Sequence, residues 1–134
     1  MLGDLIGQES GTITGRRVVG GEHGLAPTVE TSFAAGGTLL GVEVQDMGTY
    51  QARMRADGTL EGEGHGVLMG PGGANATWHG WGVGSFTENG NSWRGALIYT
   101  SGSPEFAALR GKVGVFEWEV AADGTAEGKL WAWQ

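Results

Sequence analysis

Glycine at every second position in two successive segments constrains this chain more than any other sequence feature. The segments are Gly62-Glu-Gly64-His-Gly66 and Gly80-Trp-Gly82-Val-Gly84, and a Pro71-Gly72-Gly73 break lies between them. Because alternate residues of a β-strand share one face, this spacing predicts two neighbouring strands with one nearly bare face. The other face of the predicted hairpin carries Glu63, His65, His79 and Trp81.

Alternating segments and tight turns of this kind recur along the whole chain. The dipeptides Asp57-Gly58, Asn89-Gly90 and Asp123-Gly124 are favoured hairpin loops. We predict strands over residues 10–19, 28–34, 47–55, 59–69, 74–87, 91–101, 112–121 and 125–133, with 38–44 as a short strand or a bend. Strands spaced about a dozen residues apart are typical of antiparallel sandwiches and barrels.

One segment is a helix candidate. Pro104 suits the first helical position, Ser103 suits the cap before it, and Gly111 follows the end. The sequence therefore predicts an all-β protein, a closed antiparallel β-barrel of about eight strands with one short helix near residues 104–110. We expect a single domain over residues 1–134, in which residues 1–8 are a loose lead-in.

Composition and charge exclude several function classes. The formal net charge of −7 argues against a nucleic-acid partner, because nucleic acids select basic surfaces. The chain has no cysteine, so disulfides, thiolate catalysis and cysteine-ligated zinc are excluded. The amino terminus has neither a basic region nor a long apolar run, which predicts no membrane partner and a cytoplasmic location. Phosphate-loop, dinucleotide-binding and nucleophile-elbow motifs are all missing, so we predict no cofactor.

Counting outward from the turns predicts which residues face each other. With two-residue loops at the Asp-Gly and Asn-Gly turns and a three-residue loop at residues 71–73, one row crosses four strands. The predicted row is Tyr50, His65, His79 and Thr100, and the row beside it is Ala52, Glu63, Trp81 and Ile98.

We expect the face that carries His65 and His79 to point into the barrel. By the same count the glycine face would hold Gln51, Arg53 and Arg55, which are costly to bury together. The alternative is that the glycines point inward and leave a void for a ligand, lined by Trp78, Phe86, Trp93 and Tyr99.

The predicted inner face combines ionisable and apolar side chains, as ligand cavities do. His65, His79, Glu63 and Tyr50 are the predicted catalytic residues, because histidine and buried carboxyl groups can move a proton on a bound small molecule. No metal is predicted, because a catalytic zinc needs about three protein ligands and this set is incomplete. The predicted ligand-binding residues are Trp81, Ile98, Thr100, Met54 and Met69.

The segment over residues 77–86, with its continuation over residues 90–96, resembles the allene oxide cyclase and dirigent barrel superfamily. That superfamily has a Gly-rich strand ending in Gly-x-Phe, a glycine-containing turn and another strand. The longer pattern is similar to an uncharacterised bacterial family of small barrels. Its pieces are Thr12-Ile-Thr-Gly15-Arg, Asp46-Met-Gly48-Thr-Tyr50, Asp57-Gly-Thr-Leu60, Gly62-Glu-Gly64, Trp93-Arg-Gly95 and Phe116-Glu117.

The resemblance implies an antiparallel barrel with an apolar cavity, an apolar small molecule as partner, and a homo-oligomer such as a dimer or trimer. The cyclase family's polar pocket residues have no matching motif in this chain, so no site residue is carried over. Three functions fit the sequence. They are a cyclase- or isomerase-like enzyme, a non-catalytic carrier or sensor of a small molecule, and a structural or interaction barrel with a filled core.

Overall fold

The computed structural model describes residues 2–133, which form eight antiparallel strands closed into a barrel. Each strand pairs with the next along the chain, and the last pairs with the first. This confirms the predicted fold class. The strands are β1 (Leu2–Val19), β2 (Thr28–Leu39), β3 (Val42–Met54), β4 (Leu60–Met69), β5 (Asn75–Thr87), β6 (Gly90–Thr100), β7 (Val113–Ala121) and β8 (Thr125–Trp133).

The first three strands differ from their predicted bounds. Residues 2–8 belong to β1 and pair with β8, so they are not a loose lead-in; Met1 lies outside the described residues. Gly36 and Gly37 do not break β2, which continues to Leu39. The turn lies at Leu40-Gly41, where both residues have positive φ, 52° and 77°. Such backbone angles are those of a tight hairpin turn. Glycine favours them, whereas a leucine gives no sequence signal for a turn.

The predicted helix is present as a 3-10 helix, Pro104–Leu109. Ser103 does not cap it; its Oγ instead accepts a hydrogen bond from the Asn75 backbone N–H at 3.0 Å. Phe106 and Leu109 are buried against the cluster that closes this end of the barrel, which also contains Leu39, Val44, Leu68, Ala74, Ala76 and Leu130. A second short 3-10 helix, Pro71–Gly73, forms the turn between β4 and β5. No helix within residues 2–133 is long and apolar enough to cross a membrane.

The glycine-rich face is the inner one, so the expectation that His65 and His79 point inward is wrong. Aromatic rings lie directly against the bare backbone. A Cβ added to Gly66 would be 2.4 Å from Trp78 Nε1, and one added to Gly48 would be 2.8 Å from the Phe33 ring. Glycine is therefore required where these rings pack, since any side chain would overlap them.

The error came from the turn at Asp57-Gly58. Gly58 N–H donates to the Arg55 carbonyl and Arg55 pairs with Thr59, so the loop has three residues, and Gly58 has φ 86°. One extra loop residue shifts the register by one and turns β3 over. Tyr50 consequently lies opposite Gly64 on the inner face, and Arg53 lies opposite Glu61 on the outer face. The argument against burying the arginines therefore does not apply.

The other two registers were predicted more closely. His65 lies opposite His79 and Glu63 opposite Trp81, as predicted. In the next hairpin Thr87 pairs with Gly90, a shift of two residues that leaves the faces unchanged. His79 is therefore opposite Ile98 rather than Thr100. The row that crosses β3–β6 is Thr49, His65, His79 and Ile98.

A β-bulge interrupts the pairing of β1 with β2. Ile13 pairs with Phe33 but Gly15 pairs with Ser32, so Thr14 is an extra residue in β1. Bulges of this kind change which side chains face inward beyond them. Arg16 is brought opposite the buried Thr31, at the open end of the barrel.

Candidate ligand cavity

The barrel encloses a cavity of about 120 Å³. A dry protein cavity of roughly 150 Å³ binds benzene, so this space suits a ligand of similar size. Every strand contributes to the lining, and seven aromatic rings from inner positions of β2, β3 and β5–β7 belong to it. The inward-facing rings are Phe33, Tyr50, Trp78, Trp93, Tyr99, Phe116 and Trp118.

Phe33 lies at the centre of this aromatic lining. Its ring centroid is 4.6 Å from that of Trp118 and 6.2 Å from that of Trp78, with which it is stacked. The Tyr50 ring is 6.3 Å from Phe33 and meets Trp93 edge to face at 5.8 Å. These separations are those of favourable aromatic pairs, so the lining is a connected and preformed surface.

Two carboxyl groups hydrogen-bond to each other inside the barrel. They belong to Glu9 on β1, which is partly buried, and Asp46 on β3, which is only 5% exposed. Trp78 Nε1 donates a second hydrogen bond to Asp46 Oδ1 at 2.9 Å. The intervening strand β2 carries Ala35 and Gly37 at its inner positions, which are small enough for the carboxyl groups to meet across it.

The cavity shifts the protonation of this pair. Burial and, after it, the neighbouring Asp46 together raise the pKa of Glu9 to about 9. Burial also raises the pKa of Asp46, while hydrogen bonds from Glu9 and Trp78 act in the opposite direction. Two carboxyl groups in contact do not both ionise readily. At neutral pH the pair therefore holds one proton, on Glu9, and one negative charge, on Asp46.

Two further polar groups face the same space. Burial, followed by the charges of Asp46 and Glu9, raises the pKa of Tyr99 well above its ordinary range, so its hydroxyl stays neutral. Trp118 is 8% exposed, and its buried Nε1 makes no well-formed hydrogen bond among residues 2–133. The Tyr50 hydroxyl is its neighbour: burial raises the pKa of Tyr50, and the contact with Trp118 acts in the opposite direction. A buried N–H without an acceptor is costly, so this donor is suited to an acceptor atom on a ligand.

A second cavity, of about 350 Å³, lies at the open end of the barrel. Arg16, Met54 and Phe86 line it, together with Tyr50 and Trp93. Because Tyr50 and Trp93 also line the inner cavity, their edge-to-face pair separates the mouth from the interior.

The predicted catalytic residues are divided between the two faces. Glu63, His65 and His79 are brought together on the outer wall, where His79 Nε2 lies 3.3 Å from Glu63 Oε2. The His79 ring also packs on Trp81, with centroids 4.2 Å apart. Tyr50 faces inward, opposite Gly64, and Glu63 on the outer wall also borders the inner cavity. A catalytic role for these four residues stays a prediction.

The predicted ligand-binding residues are divided in the same way. Met54 lines the mouth cavity. Trp81, Ile98, Thr100 and Met69 are exposed on the outer face. In the part of the chain that the structure describes, no group of three or more His, Asp or Glu side chains could hold a metal ion.

Sequence reasoning missed Glu9 and Asp46, although a signal was present. Glu9 alternates with glycine in Gly7-Gln-Glu9-Ser-Gly11, and Asp46 alternates with Val44 and Gly48. Each acid is therefore in phase with residues of the inner face. Glu9 went unnoticed because the strand was predicted to begin at residue 10.

Neither protein-family models nor curated protein sequences match this chain. Solved structures do. A protein with unknown function from Clostridium acetobutylicum ATCC 824 is similar with a TM-score of 0.83 at 10% identity over 98% of each chain. A conserved protein of unknown function from Rhodopseudomonas palustris has a TM-score of 0.82 at 14% identity, over 98% of this chain and 97% of that one.

A third structure is a beta-barrel like protein from Acinetobacter baumannii AYE. Its TM-score is 0.83 at 9% identity, over 98% of this chain and 94% of that one. At these identities the likeness concerns the fold alone. The chain is thus similar, over nearly its full length, to small bacterial β-barrel proteins of unknown function.

Proposed function

We propose that this barrel binds a small, largely apolar or unsaturated molecule in its inner cavity and moves a proton on it, as a cyclase- or isomerase-like enzyme. The observation that carries the proposal is the hydrogen-bonded pair Glu9 and Asp46 inside an aromatic cavity. A barrel with a purely structural interior is filled by apolar side chains, whereas buried acids cost stability. Strongly shifted carboxyl groups in a cavity are typical of functional sites.

The two carboxyl groups suit different roles because only one of them holds a proton. Glu9 is the general acid, which donates its proton to one atom of the bound molecule. Asp46 is the general base, which takes a proton from another atom of the same molecule. The proton gained by Asp46 then returns to Glu9 through their hydrogen bond. The isomerisation leaves the pair as it began and needs no cofactor.

The surrounding residues support this chemistry by position. Trp78 holds the Asp46 carboxylate with its Nε1–H, and the aromatic rings shape the space around a bound molecule. The resemblance to the allene oxide cyclase and dirigent barrels supports a reaction in which the cavity controls the shape of a reactive intermediate. The carboxyl pair supports it independently, because it rests on the geometry of this chain.

A homo-oligomer, a dimer or trimer, is part of the same proposal. Apolar side chains form a cross-strand row on the outer wall of β5–β8 and β1. The row consists of Trp81, Ala96, Val115, Trp131 and Leu5. Aromatic and aliphatic surface of this kind is enriched at subunit contacts. Native mass spectrometry after mild purification would reveal the oligomeric state together with any retained ligand.

The enzyme proposal is tested by incubating the protein with candidate polyenes and epoxides and measuring product. We expect Glu9→Gln and Asp46→Asn each to lower turnover by about 10²–10⁴-fold, the usual contribution of acid–base catalysis. The matched controls are Glu63→Gln and His79→Gln on the outer wall. Unchanged turnover in both inner variants would remove the pair from the mechanism, and a loss confined to the controls would return the outer cluster to it.

A non-catalytic carrier or sensor is the second candidate. It is favoured by the complete pairing of Asp46, whose carboxylate is already held by Trp78 and Glu9. In that case ligands would quench or shift the fluorescence of Trp78, Trp93 and Trp118, and no product would form at any enzyme concentration. Binding without turnover therefore distinguishes the carrier from the enzyme.

A further inference from the structure

The inner cavity carries a charge and an unused hydrogen-bond donor, and together they define a ligand class. We propose that it selects a small organic ammonium ion that also carries an oxygen acceptor. The ammonium group lies against the aromatic rings beside Asp46, and the oxygen accepts a hydrogen bond from Trp118 Nε1. This inference rests on the proposed small-molecule binding and deepens it.

The charge argument starts from the carboxyl pair. Two carboxyl groups in contact share one proton, so the cavity keeps one negative charge, on Asp46. The basic side chains nearby lie elsewhere. Lys129 borders the cavity, but its side chain points outward because Leu130, the next residue, is buried inside. Arg16 lies at the mouth, beyond Tyr50 and Trp93. A buried negative charge without a facing cation favours a positively charged ligand.

The aromatic lining acts in the same direction. The faces of tryptophan, tyrosine and phenylalanine rings attract cations, and a cage of such rings recognises alkylated ammonium groups. Three tryptophans, two tyrosines and two phenylalanines face this cavity. A neutral apolar ligand would also fit between the rings, but it would leave the charge of Asp46 without a counterion.

The second, independent observation is the indole N–H of Trp118. This side chain is more than nine-tenths buried, and its Nε1 makes no well-formed hydrogen bond within the described residues, with the Tyr50 hydroxyl as its neighbour. A Cβ added to Gly128 would lie 2.8 Å from Trp118 Cε3 and 3.4 Å from Glu9 Cγ, so the benzo edge of the indole, opposite Nε1, lies on the side of the acid pair. Trp118 and Asp46 line the same cavity, so a ligand that spans it can meet the carboxylate and the indole donor together.

Cavity size limits the ligand to a compact molecule. A volume of about 120 Å³ is slightly below the roughly 150 Å³ that holds benzene. About five to eight non-hydrogen atoms fit such a space. Choline and tetramethylammonium fall within this range. The neutral alcohol 3,3-dimethylbutan-1-ol has the shape of choline without its charge.

The test compares the binding of these three probes to the full chain by isothermal titration calorimetry and tryptophan fluorescence. We expect choline to bind at least about tenfold more tightly than 3,3-dimethylbutan-1-ol, because the aromatic faces and the Asp46 carboxylate attract its positive charge. In Asp46→Asn this preference should disappear while the neutral alcohol still binds. In Trp118→Phe choline should weaken to the affinity of tetramethylammonium.

The comparison of the three probes on the wild-type chain tests the inference even if a variant fails to fold. Equal or tighter binding of the neutral alcohol overturns the inference, while small-molecule binding in the cavity stands. Binding of none of the three probes also overturns it, and the proposed function is then judged separately by the turnover of Glu9→Gln and Asp46→Asn. A choline preference that survives in a folded Asp46→Asn variant overturns the role given to Asp46.

Discussion

Two pairs of ionisable side chains lie on opposite sides of the barrel wall. Glu63 and His79 face outward at 3.3 Å, with side chains 56% and 49% exposed. Glu9 and Asp46 face inward, hydrogen-bond to each other and are surrounded by aromatic rings. The outer pair contains the more typical catalytic residue, histidine. Only the inner pair has its carboxyl groups turned into the cavity, where a ligand has space.

The difference shows that residue type alone does not make a reactive site. Water surrounds the outer pair, and exposed ion pairs of this kind contribute little to stability. Burial forces the inner pair to share a proton and raises the pKa of Glu9 to about 9. The outer pair is thus a surface contact, whereas the inner pair, on the other side of the same sheet, is a candidate for proton transfer.

The largest expected difference between the two pairs is their effect on how the free energy of unfolding depends on pH. The folded state keeps a proton on Glu9 up to about pH 9, whereas the unfolded chain releases it near the ordinary value of 4.5. The stabilisation is therefore full below about pH 4.5 and is lost as pH rises towards 9. The free energy of unfolding should fall by up to about 1.4 kcal/mol per pH unit between these values. Urea unfolding at a series of pH values measures it.

The variant Glu9→Gln should flatten this slope, and Glu63→Gln should leave it unchanged. Asp57 and Asp123 act in the opposite direction, since hydrogen bonds from Thr59 and Thr125 lower their pKa values. Their contribution is lost only as pH falls below about 4, outside the window that Glu9 controls. A slope that persists in Glu9→Gln contradicts the shared-proton pair.

Removal of the donor to Asp46 should have the next largest effect. In Trp78→Phe the buried carboxylate loses the hydrogen bond of 2.9 Å from Nε1. Hydrogen bonds to charged groups contribute about 1.5–3 kcal/mol, so we expect a loss of that size in the free energy of unfolding. The outer control is Trp81→Phe, at a side chain that is 47% exposed. Equal losses in both variants would show that the inner bond is unimportant.

A side chain added to the glycine-rich inner face should lower the free energy of unfolding by a similar or smaller amount. In Gly66→Ala the new methyl group would overlap the Trp78 ring, so we expect a loss of about 1–3 kcal/mol. Gly15→Ala is the matched control, because no atom lies within 4 Å of its added Cβ. Its effect should stay within about 0.5 kcal/mol. Thermal denaturation followed by circular dichroism compares the two. A neutral Gly66→Ala would mean that the ring does not lie on the backbone.

Loss of the outer pair, Glu63 and His79, should have the smallest effect on the free energy of unfolding. A double-mutant cycle with Glu63→Gln and His79→Gln should give a coupling of about 0.2–1 kcal/mol at low salt. Exposed charges are screened, so the coupling should decrease further at high ionic strength. A larger, salt-resistant coupling would indicate that the outer cluster is shielded, for example by a second copy of the chain.

The fold was predictable because alternation and turn residues are local signals. Glycine spacing located β4 and β5, and their shared register was predicted correctly from the break at residues 71–73. The Asp-Gly turns located two further hairpins but not their loop lengths. Ala56-Asp57-Gly58 forms a three-residue loop, in which Asp57 accepts hydrogen bonds from Thr59. This difference of one residue decides the face of β3.

The site was harder to predict because it is assembled from distant strands. Glu9 and Asp46 are far apart in sequence and meet only when the barrel closes around β2. Their protonation depends on burial, which periodicity does not report until the inner face is known. His65 and His79 were recognisable as neighbours, but the same pattern describes an outer surface equally well.

The extra residue at Thr14 has a consequence for how this protein tolerates changes in length. Ile13 and Arg16 both face inward because Thr14 stands outside the alternation. Deletion of Thr14 would restore regular pairing and keep Ile13, Arg16 and everything beyond them on their present faces. Deletion of a residue from a regularly paired strand would instead turn the side chains beyond it over. Thr14 is therefore a position where one residue can be lost without moving inward-facing side chains to the outer face.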